Sequence, residues 1–183
     1  MTEPLAPFPL IKTKIQVPQL SAPLVDRQRL TSRLDEALTK KLTLISAPAG
    51  SGKTTVVLEW LRSSTYPVAW ISLDDGDNDI SRFLIYLAEA LEQCHPNRGK
   101  NAIALLRSPT PPTSQTVLAS LINELIDLPQ KTILVLDDYH VIQTPDIHEG
   151  LAYALDHLPP NIHLILTSRS DPPLPLSRLR GRR

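Results

Sequence analysis

The residues best suited to chemistry lie at positions 47–54, which read Ala-Pro-Ala-Gly-Ser-Gly-Lys-Thr. This octapeptide matches the phosphate-binding pattern G-x-x-x-x-G-K-[ST], with Ala47 in place of the first glycine. Gly50 and Gly52 let the backbone turn without a Cβ clash, so successive N–H groups can point at phosphate oxygens. The spacing therefore predicts a loop that wraps around a phosphate chain.

Two side chains of this loop indicate a nucleotide rather than a simple anion. We expect the Lys53 ammonium to reach the β- and γ-phosphates, and to be solvated when the loop is empty. We expect the Thr54 hydroxyl to bind Mg²⁺. ATP or ADP is then predicted to contact the following residues of the loop: Ala49, Gly50, Ser51, Gly52, Lys53, Thr54 and Thr55.

The flanking elements are those that such a loop requires. Residues 42–45 are aliphatic or β-branched and predict a buried strand, while Val57, Trp60 and Leu61 repeat at helical spacing. A helix starting at the loop directs its positive N-terminus at the same anion. The alternative is a glycine-rich turn without a ligand, and the strand before and helix after it weigh against that alternative.

A pair of carboxylates, Asp137 and Asp138, follows an apolar strand predicted over 132–136. Parallel sheets bind their ligands at the carboxyl ends of strands. Beside a phosphate-binding loop, Asp137 is predicted to hold Mg²⁺ through water and Asp138 to polarise the attacking water. A polar strand end closing into a turn is the alternative, and the upstream loop favours the functional interpretation.

The remaining pattern alternates strands and helices. We predict further strands at 67–73 and 163–167, a short strand at 15–17, and helices over about 26–40, 53–63, 80–91, 101–106, 114–127 and 145–158. This alternation implies an α/β fold, a parallel sheet with helices on both faces. Residues 1–23, with five prolines, are predicted to be an extended lead-in, and 24–183 a phosphate-loop nucleotide-binding domain.

Composition narrows the remaining classes of function. The 183 residues carry no formal net charge, so nothing global favours nucleic acid or an anionic membrane as a partner. No apolar run is long enough to span a bilayer, and no export signal is visible. The single Cys94 fits a reducing compartment, so we predict a cytoplasmic protein. The five histidines show no spacing typical of a metal site.

Four segments together carry a family resemblance: 44–55, 69–74, 134–140 (Leu-Val-Leu-Asp-Asp-Tyr-His) and 166–173 (Leu-Thr-Ser-Arg-Ser-Asp-Pro-Pro). They resemble the large LuxR-type ATP-binding transcription regulators of the maltose-operon activator type, which belong to the signal-transduction ATPases with numerous domains. The resemblance runs from about residue 15 to 180. It implies a P-loop NTPase fold of the ASCE/AAA-like kind.

The resemblance also implies roles that spacing does not show. Arg169 would read the γ-phosphate and act with Asp138 and Lys53 in catalysis. Arg27 would contact the nucleotide, although spacing alone favours a solvated arginine at a helix start. Asp26 and Gln28 stand where the family usually has Gly and Glu. ATP would act mainly as a switch, with slow hydrolysis, and the ATP and ADP states would differ in self-association.

The resemblance implies that a fifth strand, a lid, a sensor domain and a DNA-binding domain would follow Arg183, and we expect this chain to be the nucleotide-binding core alone. We therefore expect DNA contact only through parts absent from this chain. The arginine-rich tail at 178–183 is predicted to be a solvated, partly frayed segment rather than a nucleic-acid patch.

Three functions remain open. The first is the nucleotide-switch module of a transcription regulator. The second is a free-standing turnover ATPase or small-molecule kinase, and the third is an inert truncated remnant. The segments around 137–140 and 167–169 favour the first over the second, while a missing fifth strand would favour the third.

Overall fold

The computed structural model describes residues 9–19 and 27–181, with side chains described up to residue 179. Its strands are Leu42–Ser46 (β1), Val68–Ser72 (β2), Thr132–Asp137 (β3) and Ile162–Ser168 (β4). Its helices are Gln28–Ala37 (α1), Lys53–Ser63 (α2), Ile80–Cys94 (α3), Lys100–Leu106 (α4), Ser114–Leu125 (α5), Pro145–His157 (α6) and Leu176–Gly181 (α7). Short 3-10 turns occupy Lys12–Ile15, Asp75–Asn78 and Tyr139–Val141.

The four strands form one parallel sheet in the order β1-β4-β3-β2. Ser46 pairs with Ser168, and Ser72 pairs with Asp137, so the carboxyl ends of all four strands share one edge of the sheet. The central strands β3 and β4 are buried throughout, as expected when both faces are covered. The predicted α/β fold is confirmed.

Alternate side chains of the strands enter two separate cores. On one face α1 and α2 pack on Trp70, Ile133, Val135 and Ile165. On the other face α3 to α6 pack on a second set of strand residues: Ala69, Ile71, Leu134, Leu136, Leu164 and Leu166. Helices therefore cover both faces of the sheet.

β1 is an edge strand and pairs only with β4 within the described residues. A groove of about 660 Å³ runs beside it, and its apolar lining comprises Leu42, Leu44, Leu155, Leu176 and Leu179. The described sheet therefore has four strands, without the fifth strand that is typical of the resembled family.

The strand predicted at residues 15–17 is wrong. Ile15 is the last residue of the 3-10 turn Lys12–Ile15, and residues 16 and 17 belong to no strand. Within this turn Lys14 is buried and paired with the carboxylates of Asp77 and Asp74. The Lys14 ammonium also lies 4.7 Å from the ring centroid of Tyr86. A buried ammonium requires such partners, and they fix this segment by tertiary contacts. Residues 1–8 and 20–23 of the predicted lead-in lie outside the described residues.

The tail also differs from the prediction. Residues 176–181 form α7, and an Arg178 guanidinium nitrogen lies 2.8 Å from the Asp156 carboxylate on α6. Positions 182 and 183 lie outside the described residues. No helix in the described part of the chain combines the length and apolar character needed to cross a membrane.

Candidate nucleotide site

The loop after β1 has the backbone that its glycines predict. Gly50 and Gly52 have φ angles of +75° and +80°, in the left-handed region that disfavours residues with a Cβ. A Cβ on Gly52 would also lie 2.8 Å from a guanidinium nitrogen of Arg27. The loop's start is tied to the sheet, because the Ala47 N–H donates to the Ser168 carbonyl at 3.1 Å.

The N-terminus of α2 is suited to an anion. The helix begins at Lys53, and its N-cap, Gly52, supplies no side-chain hydrogen bond. The first intrahelical bond runs from the Val56 N–H to the Gly52 carbonyl at 3.0 Å. N–H groups at the start of a helix have no intrahelical partner, so those at 53–55 are available to phosphate oxygens. The loop therefore fits a phosphate group.

Lys53 is buried rather than solvated, which contradicts the sequence-based expectation. Its ammonium donates to the carbonyl oxygens of Ala47 (2.9 Å) and Pro48 (3.1 Å) across the loop. These carbonyls supply the partners that a buried charge needs. Lys53 therefore also holds the shape of the loop.

Thr54 and Asp137 meet at the predicted magnesium position. The Thr54 hydroxyl lies 2.9 Å from Oδ1 and 3.1 Å from Oδ2 of Asp137. The Thr167 hydroxyl, at the end of β4, donates to Asp137 Oδ1 at 2.6 Å. Hydroxyl and carboxylate oxygens are the ligand type that Mg²⁺ prefers, so the residues present fit this ion.

The environment of Asp137 also suits a cation. Burial raises the pKa of this carboxyl group, and the charge of Asp138 raises it further. The hydrogen bonds from Thr167 and Thr54 lower the pKa and so act in the opposite direction. A divalent cation beside the carboxylate would favour its ionised form.

Asp138 lies at the same edge of the sheet but in a different setting. Its backbone is left-handed, with φ +60°, and its side chain is 45% exposed, whereas Asp137 is buried. The Asp138 N–H donates to the Thr167 hydroxyl at 2.8 Å. The structure thus leaves Asp138 accessible to water and buries Asp137 beside Thr54.

His140 is a site residue that the sequence analysis missed. Its Nδ1 lies 3.7 Å from Asp138 Oδ1. Burial lowers the His140 pKa most, and the positive charges of Arg169 and Lys53 lower it further, against the raising effect of Asp138 and Asp137. The sequence does indicate His140 in one way, because it lies only three residues after the predicted metal ligand Asp137.

Arg169 directly follows β4, and its side chain is exposed. Its charge acts on His140, which lies beside Asp138. The structure therefore brings Arg169 to the edge that also carries the two acids and the phosphate loop.

Arg27 contacts the phosphate loop, which spacing alone does not indicate. Its guanidinium Nη1 donates to the Ser51 carbonyl at 3.3 Å. Its backbone N–H donates to Glu59 Oε1 on α2, also at 3.3 Å. Glu59 is thus a second residue that the sequence analysis missed, since it anchors Arg27 to the helix that follows the loop.

Thr167 is the third missed residue, and it allows a specific prediction. Replacing Thr167 by Val removes the donor to Asp137 and the acceptor for the Asp138 N–H while keeping the shape of the side chain. Losing partners of buried polar groups costs about 1–3 kcal/mol per group. We expect the Mg²⁺-dependent part of ATP affinity to fall by roughly tenfold, measured by titration with and without Mg²⁺.

Thr132→Val is the matched control, because the Thr132 hydroxyl bonds His95 Nε2 (2.7 Å) at the opposite end of β3. Equal Mg²⁺-dependent affinities in the two variants would contradict a role of Thr167 at the site.

A parallel sheet in this strand order, a left-handed glycine loop before a helix, and a threonine–aspartate pair across it define a P-loop NTPase. The AAA ATPase domain family matches residues 23–167, and the chain belongs to that family.

Among curated proteins, the chain is similar to transcriptional regulators. It is 36% identical to the HTH-type transcriptional regulator MalT of Klebsiella pneumoniae over 173 residues, and 38% identical to MalT of Serratia proteamaculans. Each match covers 94% of this chain, and the chain spans 19% of the length of each relative. The resemblance predicted from the four sequence segments is confirmed.

Two solved structures share the fold. The structure of Cdc6p from Pyrobaculum aerophilum has a TM-score of 0.53 and 20% identity, covering 91% of this chain and 45% of its own. A structure of Drosophila ORC bound to AT-rich DNA and Cdc6 has a TM-score of 0.50 and 13% identity, covering 85% and 49% respectively.

Proposed function

We propose that this chain is the ATP-binding switch module of a LuxR-type transcriptional regulator that works in the cytoplasm. The observation that carries the proposal is the contact of the Thr54 hydroxyl with Asp137, directly beside the glycine loop. A P-loop NTPase needs this pair for its metal. Similarity to the MalT regulators supports the regulatory context.

The site residues then divide the work of binding. The N–H groups of 49–55 would surround the phosphates, and Lys53 would exchange its two carbonyl acceptors for phosphate oxygens. Thr54 and Asp137 would hold Mg²⁺, which neutralises charge on the phosphates. Arg27, which bonds the Ser51 carbonyl, would stabilise the loop from outside and contact the nucleotide.

Slow hydrolysis is the second part of the proposal. Asp138 is half-exposed, so its carboxylate can accept a hydrogen bond from a water molecule that attacks the terminal phosphate. Lys53 and Arg169 would stabilise the negative charge that develops. The products are ADP and phosphate, and the site returns to the ADP state.

Arg169 is exposed at this edge, so it can bind a γ-phosphate that ADP lacks. We propose that this difference controls self-association of a longer protein in which 24–183 is the nucleotide-binding domain. DNA recognition would lie in other parts of that protein, and we expect this chain to bind DNA weakly.

One of the other two hypotheses is already weakened by the structure, and the second is separated by experiment. An inert remnant does not require Thr54, Asp137 and Thr167 to be hydrogen-bonded in one cluster. A turnover ATPase or kinase would use the same loop, and it is distinguished from a switch by its rate.

The proposed function is tested by titrating the protein with ATP and with ADP, each with and without Mg²⁺. We expect both nucleotides to bind, and Mg²⁺ to strengthen ATP binding, because the metal reduces repulsion between the phosphates and Asp137. Binding can be followed calorimetrically and hydrolysis by release of phosphate. No binding of either nucleotide would refute the proposal, and many turnovers per minute would favour a turnover enzyme.

A further inference from the structure

The six residues after Asp138, at 139–144, form a segment that we call the post-acid turn. Two side chains from outside this segment, those of His148 and Asn78, hold it in place. At its first residue, the hydroxyl of the wholly buried Tyr139 is hydrogen-bonded to His148 Nδ1 on α6 at 2.8 Å. The two rings meet edge to face, with centroids 5.5 Å apart. His148 is itself buried, so this bond lies away from solvent.

Asn78 holds the other end of the post-acid turn. Its side-chain amide donates to the Val141 carbonyl at 2.9 Å, and its Oδ1 accepts the N–H groups of Gln143 (2.6 Å) and Thr144 (3.2 Å). The Thr144 hydroxyl in turn donates to the Asn78 carbonyl at 2.6 Å. One side chain, more than sixty residues away in sequence, therefore satisfies three backbone groups of this turn.

These two attachments bear directly on Asp138. Its left-handed backbone is less favourable than the right-handed one, although Asp tolerates it better than most residues with a Cβ, and surrounding contacts stabilise it. On one side its N–H donates to Thr167. On the other side the Val141 N–H donates to the Asp138 carbonyl at 3.2 Å, and Val141 is itself held by Asn78.

We propose that Tyr139–His148 and Asn78 are positioning residues that hold the post-acid turn and so aim the Asp138 carboxylate for hydrolysis. The inference rests on the proposed function, because it assigns a task to Asp138. None of the three side chains makes a hydrogen bond to the phosphate loop among the described contacts, so their effect on nucleotide affinity is small. A shift of the Asp138 carboxylate by a fraction of an ångström slows the reaction without weakening binding.

The experiment compares Tyr139→Phe and Asn78→Ala with the matched control Thr43→Val. Tyr139→Phe keeps the buried ring and removes one hydroxyl–imidazole bond. Thr43→Val also removes one such bond, between the Thr43 hydroxyl and His163 Nε2 (3.0 Å), at the opposite end of the sheet. Thr43→Val therefore matches Tyr139→Phe in the kind of bond it removes, and only Tyr139→Phe and Asn78→Ala touch the post-acid turn.

For Tyr139→Phe and Asn78→Ala we expect single-turnover ATP hydrolysis to fall by about tenfold, with ATP affinity within about twofold of the wild type. Amide hydrogen exchange at 138–144 is expected to accelerate in the protein without nucleotide. Thr43→Val is expected to change neither the hydrolysis rate nor exchange in this turn.

Wild-type hydrolysis or unchanged exchange at 138–144 in both turn variants would overturn the positioning role and leave the proposed function standing. A parallel loss of affinity and hydrolysis would also overturn it, because that pattern indicates general damage to the site. A wild-type protein that binds ATP without hydrolysing it removes the positioning role but keeps the nucleotide site. Failure of the wild type to bind any nucleotide would refute the proposed function itself.

Discussion

Replacing Lys53 by Ala is expected to reduce the affinity for ATP by about 100-fold or more, and the affinity for ADP, which lacks the γ-phosphate, by about tenfold or more. Hydrogen bonds from a charged donor contribute about 1.5–3 kcal/mol each, and Lys53 is expected to make such bonds to two phosphates. The change removes the only side-chain charge of the loop at 47–54. Titration of ATP and of ADP against the variant measures the loss directly.

The burial of Lys53 determines the control for this experiment. Its ammonium donates to the Ala47 and Pro48 carbonyls, so the substitution also removes two bonds that hold the loop together. Lys131→Ala is a matched control, because the Lys131 ammonium donates to the Leu38 carbonyl away from the site. The fold of both variants is checked by thermal unfolding. An ATP affinity in Lys53→Ala equal to that of the wild type would refute the assignment of this loop.

The fold was predictable because its signals are local. The helix after the loop was predicted at 53–63 and is observed at Lys53–Ser63, since the loop motif itself specifies where the helix begins. The strands β3 and β4 contain the apolar runs 133–136 and 164–166, which is the pattern of a strand covered on both faces. Because strands alternate with helices, each helix can connect two parallel strands by a short crossover, which favours a parallel sheet.

The sequence-based predictions were wrong where contacts between residues distant in sequence determine the structure. Residues 15–17 have the composition of a short strand, but Lys14 is fixed by Asp77, which lies 63 positions away in sequence. The sequence predicts a solvated Lys53, because it does not reveal which backbone carbonyls point at the Lys53 ammonium. Local patterns carry no information on such pairings, and propensity is a weak prior against them.

The missed site residues have the same physical origin. Thr167 is a buried strand residue like its neighbours until the sheet sets it beside Asp137. The spacing of His140 predicts no metal ligation, and its relation to Asp138 depends on the turn between them. Glu59 becomes relevant only because the chain returns at Arg27. Thr167 and Glu59 are recognised only through partners that are distant in sequence. His140 is recognised only through the geometry of a turn, which residue spacing alone does not specify.

Replacing Asp137 or Asp138 by Asn is expected to impair different functions, Mg²⁺-dependent binding in the first case and hydrolysis in the second. Asp137 is buried against Thr54 and Thr167, so Asp137→Asn removes a charge at the metal position and is expected to abolish most of the gain in ATP affinity that Mg²⁺ provides. Asp138 is half-exposed and has no contact with Thr54 among the described hydrogen bonds. Asp138→Asn is therefore expected to bind Mg-ATP nearly as well as the wild type.

The rate of hydrolysis is expected to depend strongly on Asp138, although the affinity for Mg-ATP does not. Orienting the attacking water stabilises only the transition state, and general-base catalysis contributes about 10²–10⁴-fold. Single-turnover hydrolysis by Asp138→Asn, measured with enzyme in excess and saturating Mg²⁺, is expected to be slower by about 100-fold or more. Asp138→Glu tests whether the position of the carboxylate matters as well as its charge, because it keeps the charge and moves the group by one methylene. Wild-type hydrolysis in Asp138→Asn would show that another group, with His140 the nearest candidate, orients the water.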